Sequence, residues 1–494
     1  MRQAIRLTPL VLLVLLPASG LAGAAVLTVS KTADTLDGAC DADCSLREAV
    51  VAANASPGPD TINLGPSTYR LTRLGPFEEE SASGDLDVLG EVAILGAGAD
   101  RTVLDGGLID RILEVQPDGK LELRGVTVRN GWARISSFQD GQGGGIRATG
   151  RLELVDCLIA DNRAESGGGV FGLDLKIRGT TFTGNSAMDG GGLFSGFRLD
   201  MENVTLSGNV GRYGGGAMLV DSEAGLRVSH VTVSGNEATS TGGGIYLDPI
   251  ACPAGAPCPT GPFLRLDRSI VAGNKAPQNR ECYLLGHEGF YNVFGSDDGC
   301  MPGVGDRANT EPRLSPLGSY GGPTPTQPPL PGSPAVDIAP GTTCARTDQQ
   351  GHLRPADGNG DGFVGCDAGA VEINSDCAAD GNQLCLGPGN RFHATAWWTT
   401  RDGTGEAQAV PLTLDTGAFW FFNANNLELM IKVLDGCAVN GHYWVFVSGL
   451  TDVGVEITVR DTVTGKTWNH IHAGGIALPP RLDTGALDIC PGGA

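Results

Sequence analysis

The sequence predicts an all-β protein: a right-handed parallel β-helix with an N-terminal capping helix, followed by a C-terminal antiparallel β-sandwich. Three observations predict the solenoid. Glycine triplets recur at 143–145, 167–169, 190–192, 214–216 and 242–244, in steps of 24, 23, 24 and 28 residues. A second marker recurs out of phase: "ADN" at 160–162, "TGN" at 183–185, "SGN" at 207–209 and 234–236, and "AGN" at 272–274. Between the markers lie alternating apolar runs such as "RLELVDCLIA", "RLDMENVTLS" and "LRVSHVTVS", the pattern of strands with one face inward. Such a fixed period means stacked coils, none able to bury its face alone.

The elements follow in chain order. Residues 1–24 carry Arg2 and Arg6, the apolar run Leu10–Leu16 and the small residues Ala22-Gly23-Ala24. These are the n-region, h-region and cleavage site of an export signal. No later segment approaches 18 continuous apolar residues, so no transmembrane segment is expected in the exported chain. Residues 25–54 form an N-terminal cap. Within it, "CSLREAVVAAN" (44–54) has apolar residues at Leu46, Ala49, Val50 and Ala53, an S-x-x-E capping box at Ser45 and Glu48, and Asn54 as a left-handed stop. A lone helix here covers the open interior of the first coil. The coils run over 55–300, roughly nine of them, each read as two short strands and two turns. Their glycines suit corners with positive φ, and their asparagines suit a stacked side-chain amide ladder. Residues 301–372, rich in proline and glycine, wrap the last coils, and 373–377 form a hinge. Residues 377–494 read as antiparallel strands joined by Asp/Asn/Gly turns, a β-sandwich.

The formal charge of −22 excludes nucleic acid and anionic membranes as natural partners. Thirteen cysteines in an exported chain imply disulfides. Sequence-near pairs are expected at Cys40/Cys44, Cys252/Cys258, Cys282/Cys300, Cys344/Cys366 and Cys377/Cys385, with Cys437/Cys490 farther apart. Cys157 is left over, as a buried inert thiol.

The segment "CSLREAVVAAN" resembles the CSLREA segment of exported bacterial β-helix proteins. The run Glu311–Glu372, with "GGPTPTQPPLPGSPAVDIAP" and "DGNGDGFVGCDAGAVE", is similar to the choice-of-anchor Q ending that accompanies it. The C-terminal module around "FWFFNANNLELMIKVLDG" resembles a tail domain of related exported proteins. The resemblance implies a pectate-lyase-like solenoid, secreted or displayed at a bacterial surface. It implies no particular reaction.

Candidate chemistry is sparse. In "DGNGDGFVGCD", Asp357, Asn359 and Asp361 stand at positions 1, 3 and 5 of a calcium loop, with Gly362 at the turn and the Phe363 carbonyl at position 7. Position 12 is Ala368, and Asp367 is the substitute carboxylate. The cofactor expected is a structural calcium ion or none, the alternative being an acidic glycine-rich loop held by a Cys344–Cys366 bridge. His470 and His472 form an H-x-H pair, either a metal half-site or exposed strand histidines. The coils offer Asp156, Asp161, Lys176, Asp189, Asp200 and Asp221, with no pair of aspartates on one strand, and no catalytic residue is assigned. Five of the six tryptophans follow residue 376. Phe419 and Phe421 share one face, Trp420 and Phe422 the other. Aromatics of this kind are read first as core; the alternative is a sugar-stacking platform, for which Trp398 and Trp468 are the candidates expected to be exposed. The partner expected is an extracellular glycan or a surface protein. The function expected is non-enzymatic binding or adhesion, with a polysaccharide lyase or hydrolase and a structural envelope spacer as alternatives.

Overall fold

A computed structural model describes residues 23–490, except 76–77, 135–139, 221–224, 249–263, 285–286, 321, 331, 360, 374–380, 388–390 and 463. Most of the expected signal, Asp221, and the pairs Cys252/Cys258 and Cys377/Cys385 through Cys252, Cys258 and Cys377 lie outside the described residues.

The first half is a parallel β-solenoid of about seven turns. Its coils have three strands, not two. Asp60–Asn63, Thr68–Arg70 and Leu86–Val88 make one coil, and Glu91–Leu95, Val103–Asp105 and Leu113–Val115 the next. The short apolar runs near the N-terminal end therefore share coils, which is why counting them singly reaches nine. Successive coils stay in register, so equivalent side chains stack. One inward column runs Leu27, Ile62, Ile94, Leu123, Leu154, Ile177, Met201, Val228 and Leu266. Another runs Tyr69, Leu104, Val128, Ile159, Phe182, Leu206, Val233, Val271 and Phe294. These residues belong to one continuous apolar core, so each coil removes its neighbour's strand surface from water.

Both recurrent markers have structural roles at the corners. Gly143, Gly167, Gly190, Gly214 and Gly242 open the triplets with φ between 60° and 68°, where a β-carbon is strained. At the next position, a β-carbon on Gly168 would sit 2.3 Å from the Gly191 carbonyl oxygen of the adjacent coil. The asparagines form the expected ladder. Asn162, Asn185, Asn209, Asn236 and Asn274 are buried, and each donates its amide to the next asparagine at 2.9–3.0 Å until Asn274 meets Glu281.

The helix spans Leu46–Ala55 with its capping box intact: Glu48 N donates to Ser45 Oγ at 3.1 Å and Ser45 N to Glu48 Oε2 at 2.7 Å. Leu46 and Val50 are buried in the solenoid core. Asn54 is not a left-handed stop. It lies inside the helix and pins it to the coil below, donating to the Asp87 carbonyl at 2.7 Å and accepting from Leu89 N at 3.0 Å. Sequence reasoning passed over Arg47, whose buried guanidinium pairs with Asp34 at 2.6 Å and donates to the Ser81, Gly84 and Asp85 carbonyls.

After the last coil the chain turns back along the solenoid's side. Thr324 Oγ1 donates to the Gly179 carbonyl at 2.8 Å, Gln349 bonds Thr181 and Thr205, and Ala370 N donates to Thr232 Oγ1. The C-terminal module is two antiparallel five-stranded sheets, one through Gln383–Leu386, Phe392–Thr399, Gly454–Asp461 and Thr467–His472 with Thr404–Glu406 paired to Phe392–Thr399, the other through Gln408–Pro411, Thr416–Trp420, Leu429–Gly436, His442–Gly449 and Arg481–Leu487. They share a separate apolar core.

Among the described residues, four of the expected disulfides are formed: Cys40–Cys44, Cys282–Cys300, Cys344–Cys366 and Cys437–Cys490. Together they fit an extracellular protein. Cys157 is free and buried. No helix among the described residues is long and apolar enough to cross a membrane.

Candidate functional site

The structure rearranges the residues singled out from sequence. On the calcium-type loop, Asp357 Oδ2 accepts from Gly362 N, Asn359 Oδ1 from Asp361 N and Asp361 Oδ1 from Phe363 N, at 2.8–2.9 Å. These three side chains thus share one turn. Asp367 does not join them. It is fully buried, accepting from Asp337 N and Ile373 N beside the buried Arg354–Glu372 pair. Burial and the neighbouring Glu372 hold its pKa well above the carboxylate range. The carboxylate that does face the loop is Asp337, which accepts from Gly358 N and Asn359 N. Burial raises its pKa, and the charges of Asp357 and Asp361 add to the rise. A cleft of about 660 Å³ opens beside Asp337, Asn359, Asp361 and Phe363, with Arg307 and Leu414 on its walls.

The tryptophan assignments are also corrected. Trp468 is only 7% exposed, packs in the sandwich core and donates Nε1 to Asp483 at 3.1 Å. Trp398 is half-buried against the same core, edge-on to Phe422 with centroids 4.9 Å apart. The pairing of strands decides this, since Trp468 lies opposite the inward Val459. The exposed neighbour is Trp397 at 47%. Phe419 and Phe421 face the core, as their alternation implies, whereas Phe422 is exposed. His470 stacks on Trp468, and His472 Nε2 lies 2.9 Å from the Ile476 carbonyl oxygen. Neither histidine is an exposed strand residue, and both rings have protein partners.

Sequence reasoning missed a mixed-charge cluster near the cap. Asp87 lies on the strand Leu86–Val88, and Asp85 on the bend that leads into it. Asp87 stacks in register with Glu114, and Glu114 with Arg147. Arg111 bridges Asp85 and Glu114 at 3.0 Å each, Arg147 pairs with Glu114, and the Gln116 amide reaches Glu79, Asp87 and Glu114. Burial, reinforced by Glu114, pushes the Asp87 carboxyl up to about 7. Burial likewise raises Asp85 and Asp110. Yet Asp87 is fully buried, and Asp85, Arg111 and Glu114 are nearly so. The space lined by Asp85, Arg111 and Glu114 is about 40 Å³, room for water and not for a sugar ring; an open pocket of about 580 Å³ also reaches Glu114 and Arg147, and Asp87 lines neither.

Beyond Arg147 the same outward column continues as Phe171, Phe194, Met218, Tyr246 and Tyr283. Its rings stack on each other, Phe171 on Phe194 at 4.9 Å and Tyr246 on Tyr283 at 5.0 Å. Their faces are consumed within the fold, which makes the column a stabilising ladder and leaves only ring edges to a ligand.

The open chemistry of the coils lies at another corner, around the sixth tryptophan. Trp132 is 38% exposed, with the Arg134 guanidinium 4.8 Å from its ring centroid. Arg163 sits on the next rung, in register with Trp132, and Ser186 follows on the rung after. A solvent-open pocket of about 500 Å³ is floored by Ala133 and Ala164 and walled by Trp132, Arg134, Arg163 and Glu165. Backbone bonds between coils hold it, Ala133 N to the Arg163 carbonyl at 3.0 Å and Arg163 N to the Gly131 carbonyl at 2.9 Å.

No family model, curated protein or solved structure matches this chain.

Proposed function

We propose that this chain is an exported, CSLREA-type β-helix protein that binds an extracellular glycan on the outside of its coils and does not cleave it. One contrast carries the reading: the open coil pocket holds an exposed indole and polar side chains, whereas Asp87, the carboxyl that hydrolysis would need as its acid, is fully buried and lines neither pocket beside it. An indole offers a pyranose ring an apolar face, and neighbouring Arg, Ser and Glu side chains offer its hydroxyls hydrogen bonds. Export through residues 1–24 belongs to the same proposal, supported by the disulfides. So does a structural calcium ion on the 357–363 loop, held by Asp357, Asn359, Asp361 and the Phe363 carbonyl, with Asp337 in the place expected of Asp367.

A second reading, polysaccharide hydrolysis, is favoured by the Asp87–Glu114 pair. A carboxyl titrating at about 7 suits a general acid, and Glu114, paired with Arg111 and Arg147, would be the second carboxyl group. It requires residues 78–85 to move off the cluster.

The test is a glycan array and a polysaccharide depolymerisation screen on the exported chain, each with calcium and with chelator. Binding without release of reducing or unsaturated ends, abolished by Trp132→Ala, is expected. Release of such ends, lost in Asp87→Asn, would replace the binding reading by the enzymatic one.

A further inference from the structure

We infer that the Trp132 pocket selects an acidic glycan, one bearing carboxylate or sulfate groups, over a neutral one. This rests on the glycan-binding reading above and names the ligand class of the same site. The walls carry two guanidiniums, Arg134 and Arg163, against one carboxylate, Glu165. In a chain of charge −22, a local cationic excess runs against the overall field. Among the described residues, neither arginine lies within 4 Å of a carboxylate. Most of the chain's buried arginines are committed otherwise: Arg47 to Asp34, Arg111 to Asp85 and Glu114, and Arg354 to Glu372.

Geometry adds to charge. Trp132 and Arg163 occupy adjacent rungs in register, so an indole and a guanidinium are offset along the solenoid axis by one strand spacing, about 4.8 Å. A sugar ring resting on the indole would place an anionic substituent, its own or its neighbour's, within reach of Arg163. Arg134 already lies over one face of the indole, so the sugar would take the opposite face and meet this guanidinium only at the indole's edge. Planar guanidiniums bind carboxylate and sulfate oxygens through paired N–H donors, which a neutral hydroxyl cannot match. Glu165 on the opposite wall would accept from ring hydroxyls and repel a misplaced acid group, which sets the ligand's orientation.

The experiment measures binding of the full chain to alginate and hyaluronan as carboxylate probes, dextran sulfate as the sulfate probe, and dextran and mannan as neutral probes. At least one acidic polysaccharide is expected to bind and neither neutral one. Affinity should fall as sodium chloride rises, by about tenfold or more in Arg163→Gln and again in Trp132→Ala. Both positions are solvent-exposed, and unchanged circular dichroism would show the fold intact. Binding to the neutral probes alone, or acidic binding indifferent to Arg163→Gln, would overturn the acidic assignment and leave glycan binding standing. Binding to none of the five would overturn both. The carboxylate and sulfate arms together decide which anion the guanidiniums prefer.

Discussion

The asparagine ladder makes a sharp quantitative prediction at Asn209, its middle rung. Asn209 Oδ1 accepts from Asn185 N at 3.1 Å and Asn185 Nδ2 at 2.9 Å. Its Nδ2 donates to the Phe182 carbonyl at 3.0 Å and to Asn236 Oδ1 at 2.9 Å. In Asn209→Leu all four bonds vanish, but the losses are unequal. Asn185 Nδ2 keeps the Ile159 carbonyl, and Asn236 Oδ1 keeps Asn209 N. Asn185 N–H and the Phe182 carbonyl lose their side-chain partner inside a dry corner. A buried polar group left unpaired costs about 1–3 kcal/mol and a lost bond about 1 kcal/mol, so with two of each the substitution should destabilise the solenoid by about 4–8 kcal/mol. Urea titration read by hydrogen exchange of coil amides separates solenoid from sandwich unfolding. Asn469→Leu, on an exposed sandwich strand, is the control and should change stability by less than about 1 kcal/mol. If Asn209→Leu cost no more than the control, the ladder would be a consequence of stacking and not a support for it.

Four further outcomes follow from the same structure. Arg47→Met should loosen the N-terminal cap by about 3–5 kcal/mol, because it leaves Asp34 as an uncompensated buried charge; limited proteolysis should then cut within residues 78–85 first. His230 is buried with neither ring nitrogen hydrogen-bonded, and burial together with Arg354 and Arg268 holds its pKa well below 6.5. The folded form is therefore neutral while the unfolded one gains a proton below about 6.5, so His230 should cost up to about 1.4 kcal/mol per pH unit on acidification, an effect that His230→Leu removes from the pH–stability profile. Asp87 has the opposite sign: its folded pKa of about 7 means its contribution, full at acid pH, is lost as pH rises toward 7, and Asp87→Asn should flatten that limb. Calcium at a hundred times its dissociation constant should raise the stability of the 301–372 wrap by about 2.7 kcal/mol, a gain abolished in Asp361→Asn and retained in Asp402→Asn on an exposed sandwich turn; thermal unfolding with calcium and with chelator reads it directly.

The solenoid was legible in the sequence because its signals are local and repeated. Glycine triplets, asparagine markers and period-two runs report the same corner and strand every coil, so each repeat confirms the last. The capping helix was legible for a similar reason, since Ser45 and Glu48 satisfy each other within one turn. Inert Cys157 was legible from its apolar setting; burial does push its thiol up to about 12. Where local signals weakened, as between residues 60 and 115, the coil count ran high.

What only the tertiary structure decided is which distant residues meet and which faces stay open. Asp87, Glu114 and Arg147 come together because coils of unequal length stack in register, and no spacing announces it. The same stacking sets Trp132 beside Arg163, while strand pairing in the sandwich turns Trp468 inward and leaves Trp397 outside. Asp367 was expected to close the calcium loop from one residue before position 12, yet the short strand Gly365–Cys366, paired with Ala339–Pro340, carries it into the buried Arg354–Glu372 network. Alternation along a strand determines which side chains share a face. Whether that face meets a core, another ring or water depends on the chain that folds across it.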